Sequence, residues 1–171
     1  EGRGSKDLPL LLQSLLKERL KLQFHIEAKQ SQFYELVIAR GDGRPAGLRP
    51  ADGCSPVEPK GDSFCGFRTS QTVSGGVVIT TSHYRDLPID RLIRDLRYRV
   101  ERPILDNTGL TGNFDFDLTY ALEPLSATVT APSGVPTLFE GLEKQLGLKL
   151  VSRRGPLPVL VIDHVERPSA N

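Results

Sequence analysis

Carboxylates, histidines and arginines are the side chains in this sequence whose types and spacing could do chemistry. Asp106, Asp115 and Asp117 are the densest acids, and Asp115 and Asp117 alternate with Phe114, Phe116, Leu118 and Tyr120. In a strand that alternation puts both aspartates on one face, about 7 Å apart at one pleat repeat. Such a pair suits acid/base catalysis or a share in a calcium site. It equally suits the solvated face of a strand whose other face is buried, and that reading needs no chemistry. The histidines are His25, His83 and His164; no two have ligand spacing such as His-x₃-His, and neither cysteine is near one in sequence. Asp115, Asp117 and His164 are therefore the candidate catalytic residues of a hydrolase, while no residue set calls for a metal or a cofactor.

Arg91, Arg94, Arg97, Arg99 and Arg102 form the one basic cluster. Asp90 and Asp95 stand four residues ahead of Arg94 and Arg99, the favourable order for ion pairs along a helix, so a charged, solvated helix face accounts for them. Gly41-x-Gly43-x₃-Gly47 has the glycines of a phosphate loop, but Pro45 interrupts it and no helix follows. There is no Gly-x-Ser-x-Gly elbow, and nothing in the sequence supports nucleophilic catalysis.

Composition narrows the classes further. The chain has 171 residues, 38% of them hydrophobic, with 22 basic and 21 acidic side chains and a formal charge of +1. A chain of this length buries about 70% of its unfolded surface and needs no metal to fold. Balanced charge removes the electrostatic reason to expect nucleic acid or an anionic membrane as partner. No apolar run approaches the roughly 20 residues needed to cross a bilayer. Methionine is absent, even at position 1, which points to a chain whose targeting segment has been removed.

The elements that must position these residues are written in one repeated spacing. Leu12, Leu16, Leu20 and Leu22 match Leu138, Leu142, Leu146 and Leu148, and Leu92, Leu96 and Val100 form a third copy. Leucines four apart make the apolar stripe of a helix, and an apolar segment with strand character follows each. The first and last copies even share the ending Leu36-Val37-Ile38 and Leu160-Val161-Ile162.

The sequence thus predicts an α+β domain of three helix-plus-β-hairpin units, over about 7–40, 77–121 and 137–166, with helices packed on antiparallel sheet. Turns are expected at Lys29–Gln32 and Arg153–Pro156, and helix caps at Asp7, Asp86 and Thr137, the last with capping-box spacing to Glu140. Gly147 is placed to end the third helix. Residues 41–66 hold six Gly and four Pro and read as a long loop between the first two units.

In order along the chain, Leu11-Leu12-Gln-Ser-Leu15-Leu16-Lys-Glu-Arg19-Leu20-Lys-Leu22, Tyr34-Glu-Leu36-Val37, Pro103-Ile104-Leu105-Asp106-Asn-Thr-Gly109, Glu143-Lys-Gln-Leu-Gly147 and Val161-Ile162-Asp163-His164-Val165-Glu166 form an ordered set of motifs. This set resembles an uncharacterised family of exported proteins, expanded in soil acidobacteria and defined by this C-terminal region. The resemblance covers most of the chain and implies export across the inner membrane, an extracytoplasmic location, and frequent proximity to membrane-anchored sensor peptidases. It brings no catalytic residue with it. The second unit is more weakly similar to the small domains at the start of secretins and outer-membrane transporters, which bind other proteins. Export would place Cys54 and Cys65 in an oxidising compartment, where they are expected to pair as a disulfide.

The leading expectation is a non-catalytic, exported interaction module of the cell envelope whose partner is another envelope protein. A metal-dependent or carboxylate-based hydrolase and a small-ligand carrier remain as alternatives.

Overall fold

The computed structural model describes residues 8–39, 45–54, 64–122 and 134–168. They run in the order α1 (Leu8–Leu20), β1 (Gln23–Ile38), β2 (Arg49–Pro50), β3 (Gly66–Ser74), β4 (Val77–Pro88), α2 (Ile89–Leu96), β5 (Ile104–Asp106), β6 (Asn113–Ala121), α3 (Leu138–Gly141) and β7 (Leu148–His164). α3 continues without a break into a π-helical turn, Leu142–Leu146. The fold is α+β with two sheets. One has the strand order β5-β1-β7 and the other β2-β6-β4-β3, and the pairing is mostly antiparallel. The chain forms two compact bodies, a larger one, Gln32–Arg153, and a smaller one made of Glu1–Ser31 with Arg154–Asn171.

In the larger body the alternation of β6 decides the layering. Phe114, Phe116, Leu118 and Tyr120 are all buried on one face of the four-stranded sheet, with Tyr84 of β4 beside them. Ile89, Leu92, Ile93 and Leu96 of α2 close over that face together with Leu138, Leu142 and Leu146. Phe116 lies almost parallel to the Tyr84 ring, with centroids 4.3 Å apart.

Side-chain detail fixes the third helix. Thr137 and Glu140 form the reciprocal capping box, and Gly147 ends the helix at φ 69°. Gly141 sits where a Cβ would press on the Leu118 side chain and the Thr119 carbonyl, each 3.3 Å away. Its helix-propensity cost of about 1 kcal/mol is therefore the condition for close approach to β6. Gln145 then docks like a missing strand: its Nε2 donates to the Thr119 carbonyl at 2.6 Å, and its Oε1 accepts from the Thr119 N–H at 2.9 Å.

Three expectations need correction. The hairpin turns at Lys29–Gln32 and Arg153–Pro156 do not occur, because β1 and β7 are single strands of 16 and 17 residues. Pro156 signals a turn in sequence, but β7 is an edge strand, where a missing N–H costs no ladder bond. Asp86 does not cap α2; Pro88 holds that position, and no side chain caps the helix. The loop 41–66 includes the short strand β2, paired Arg49↔Asp115 and Pro50↔Phe114. Finally, the strand at Val77 has a partner that the sequence does not announce. β3 and β4 are a hairpin joined by Gly75-Gly76, both at positive φ (60° and 81°), the requirement of a tight type I′ turn. Asp7 and most of the connection from Glu123 to Pro136 lie outside the described residues.

The smaller body contains α1, Gln23–Ser31 of β1 and the far end of β7. Its leucine stripe is not buried: no α1 residue is, and Leu12 is 51% exposed. The matching Leu142 and Leu146 of the larger body are fully buried. Identical spacing therefore serves two environments.

Phe116→Ala removes a ring that is 1% exposed and should lower stability by about 3–5 kcal/mol, with Tm falling roughly 10 °C or more. Gln145→Ala should cost about 1–3 kcal/mol, because it strands the N–H and C=O of Thr119. Urea melts of both variants check the two values; parent-like midpoints would contradict the docking described.

Candidate functional site

Burying one face of β6 turns Asp115, Asp117 and Thr119 to the other. The register brings β4 and β3 side chains alongside them: His83 opposite Asp117, and Arg68 opposite His83. His83 Nδ1 lies 2.7 Å from Asp117 Oδ1, and Arg85 Nη1 reaches the same oxygen at 2.8 Å. Arg85 also donates to the Tyr84 and Phe116 carbonyls. Partial burial alone would raise the Asp117 pKa, but the hydrogen bonds and charges of Arg85 and His83 outweigh it and hold the carboxyl below its usual range. The Phe64 ring borders this group, with the Arg68 guanidinium 4.2 Å from its centroid and His83 edge-on at 6.4 Å.

Asp115 has a different task. β4 has an irregularity between Tyr84 and Leu87, and Asp86 there adopts φ 54°, unusual for a residue with a side chain. Asp115 Oδ1 accepts the Asp86 N–H at 2.8 Å, and the Asp86 carboxylate in turn accepts from the Cys54 N–H and the Asn113 side-chain amide. Cys54 is joined to Cys65 by a disulfide. The outer face thus ties bulge, β6 and disulfide segment together.

Of the candidate residues, Asp115 and Asp117 share this face, and His83 is the histidine that joins Asp117. Asp106 is engaged elsewhere, accepting from the N–H and Oγ1 of Thr108 at 2.9 and 2.8 Å. His164 belongs to the smaller body, where its Nε2 lies 2.9 Å from Glu166; there too, His25 pairs with Asp163. The chemical capacity of Asp117–His83 is that of an acid–base couple, with Arg85 sharing the Oδ1 that His83 contacts. Among the described residues, no three His, Cys, Asp or Glu side chains gather as a metal site.

A second feature, on the opposite face of the sheet, has no motif in the sequence. Beyond the end of α2 the inner face carries a groove of about 330 Å³. Leu96, Leu118 and Tyr84 contribute apolar surface, Thr69 and Ser82 hydroxyls, and Arg99 a charge. Burial, reinforced by the charge and hydrogen bond of Asp95, keeps the Tyr84 hydroxyl far above its ordinary pKa. Burial likewise raises Tyr120, against the opposing pull of Arg99. Both phenols are therefore neutral donors at any physiological pH. The available signal was polar residues, Thr80 and Ser82, on the buried parity of a strand.

A family model described as a protein of unknown function (DUF3738) matches residues 2–165. No curated protein and no solved structure matches the chain.

Two measurements follow from this geometry. Denatured without reductant, the protein should titrate no free thiol, and reduction should lower its stability by about 3 kcal/mol for a loop of this size. For Asp117 the folded pKa lies below the unfolded one, so its stabilisation is present above the unfolded pKa and is lost as pH falls through the folded value. Asp117→Asn should thus be less stable than the parent near neutral pH, by no more than about 1 kcal/mol for so exposed a pair. Urea melts of the two proteins should converge in acid; a difference that grows on acidification would reverse the assignment.

Proposed function

We propose that this chain, which belongs to the DUF3738 family of proteins of unknown function, is a non-catalytic interaction module, exported to the cell envelope, whose partner is another envelope protein. The observation that carries this reading is where the potentially reactive groups are engaged. Asp117 is held by Arg85 and His83, Asp115 by the Asp86 N–H, Asp106 by Thr108, and His164 by Glu166. The contacts of Asp117, Asp115 and Asp106 maintain a strand pair, a bulge and a turn, and that of His164 is a local surface pair.

Surface composition supports the same reading. In the smaller body, Leu8, Leu10, Leu11, Leu12 and Leu15 on α1, Ile26, Leu160 and Ile162 on the strands, and Val165 just after β7 are all more than half exposed. Apolar surface left open on this scale is a feature of association sites. The disulfide is compatible with an oxidising, extracytoplasmic compartment, and among the described residues no helix is long and apolar enough to cross a membrane.

The test combines turnover with contact. Neither the parent nor Asp115→Asn/Asp117→Asn should hydrolyse a panel of peptide, glycan and phosphoester substrates. A photo-crosslinker at Leu11 or Ile162 of the exported protein should give a discrete adduct with one envelope protein. Parent turnover that vanishes in the double variant would replace the interaction module by the hydrolase.

A further inference from the structure

The sheet edges of this protein are not equally protected. β2 has two residues, one of them Pro50, and β5 has three. β7 carries Lys149, Arg153, Arg154, Pro156 and Pro158 along its length. Short strands, prolines and charges are the devices that keep strand edges from pairing with other chains. β3 has none of the first two. It runs nine residues, Gly-Phe-Arg-Thr-Ser-Gln-Thr-Val-Ser, with Arg68 as its single charge. Every residue from Gly66 to Ser74 is in register with β4, without a bulge, so the strand is regular. It ends the sheet order β2-β6-β4-β3, and among the described residues nothing pairs with its outer side.

The inner-face groove opens beside this edge, with Phe67 and Thr69 of β3 in its wall and Leu96 and Leu118 contributing apolar surface. A strand added to β3 would set every second side chain on that same face, at the 4.5–5.5 Å spacing (roughly) of cross-strand neighbours. A groove of about 330 Å³ accepts one such side chain if it is apolar.

Charge selects the partner. Four arginines border the edge: Arg68 and Arg85 on the outer face, Arg91 and Arg99 on the inner. Arg85 is matched by Asp117 and Arg91 by Asp95. Arg68 lies over the Phe64 ring, and Arg99 pulls the Tyr120 pKa down against burial; neither has a carboxylate partner among the described residues. Two guanidinium groups with no carboxylate partner among the described residues therefore stand on opposite faces of one edge, Arg99 sharing its groove with the Arg91-paired Asp95. Adjacent residues of an extended chain also point to opposite faces, so a partner with acidic residues next to one another along its strand answers both. A second copy of this chain would bring its own Arg68 and Arg99 to the same edge and meet repulsion.

Resting on the interaction-module reading, we infer that β3 is the docking edge: it takes an extended, acidic segment of the partner as a fifth strand, with one apolar side chain of that segment seated in the groove. Main-chain hydrogen bonds supply affinity in this mode, and the pocket supplies selectivity.

The probe is a blocked nonapeptide of valine and threonine with adjacent glutamates at positions 3 and 4 and a phenylalanine at position 5, titrated into the full chain. Hydrogen exchange at the amides of residues 66–74 should slow by at least about 10-fold, and Phe67, Thr69 and Tyr98 should show the largest NMR shifts. Arg68→Glu/Arg99→Glu, which alters two exposed side chains, should weaken binding by about 10-fold or more while the melting curve is kept. The same peptide with two of its residues replaced by proline should not bind. Unchanged exchange at 66–74, equal affinity of the charge-reversed variant, or protection seen only on α1 would each overturn the docking edge. So would a doubling of the free protein's mass that Ser70→Lys abolishes, since the occupant would then be a second copy. The turnover assay separates these failures from failure of the broader reading, because a protein that binds elsewhere and hydrolyses nothing is still an interaction module.

Discussion

The burial of one face of β6 is the constraint on which the rest of the larger body depends. Phe114, Phe116, Leu118 and Tyr120 must leave water together, and a strand can bury alternate residues only by exposing those between. That single choice sends Asp115 and Asp117 outward, opposite β4, and creates the row in which Asp117 meets His83 and Arg85. It also sets the floor on which α2 and α3 pack, and so the groove left where α2 stops. Both surfaces follow from the same apolar alternation.

The outer face shows why closely spaced acids need not be catalytic. A bulge that places Asp86 in left-handed backbone conformation survives only if neighbours hold it. Asp115 accepts its N–H, and the Asn113 side chain and the Cys54 amide donate to its carboxylate. The disulfide then anchors Cys54 to Cys65, next to Phe64 and the start of β3. These acids tie the bulge, β6 and the disulfide segment that leads into β3 to one another.

How much of this was legible in the sequence depended on whether a pattern or a partner made the signal. β6, with its strict alternation, was legible, as were the Thr137–Glu140 capping box and the Gly147 stop, since each is a local rule. The α1 helix was legible too, but not its exposure, because Leu12-x₃-Leu16 reads the same whether or not anything covers it. β3 was missed: both of its faces are largely wet, so no apolar period marks it, and Ser74-Gly75-Gly76 was its one clue. Gln145 could not be assigned at all, since its role is set by a strand 26 residues away. The Gly155-Pro156 signal misled because edge strands tolerate proline.

The claim that the outer-face acids hold the fold, leaving the sheet edge to meet the partner, is tested most directly by NMR titration of the Asp117 carboxyl carbon in the intact protein. The account predicts titration below the ordinary carboxylate range, reflecting hydrogen bonds from Arg85 and His83 that outweigh its partial burial. A value raised above that range would mean that Asp117 shares or stores a proton as catalytic carboxylates do, and would contradict the account.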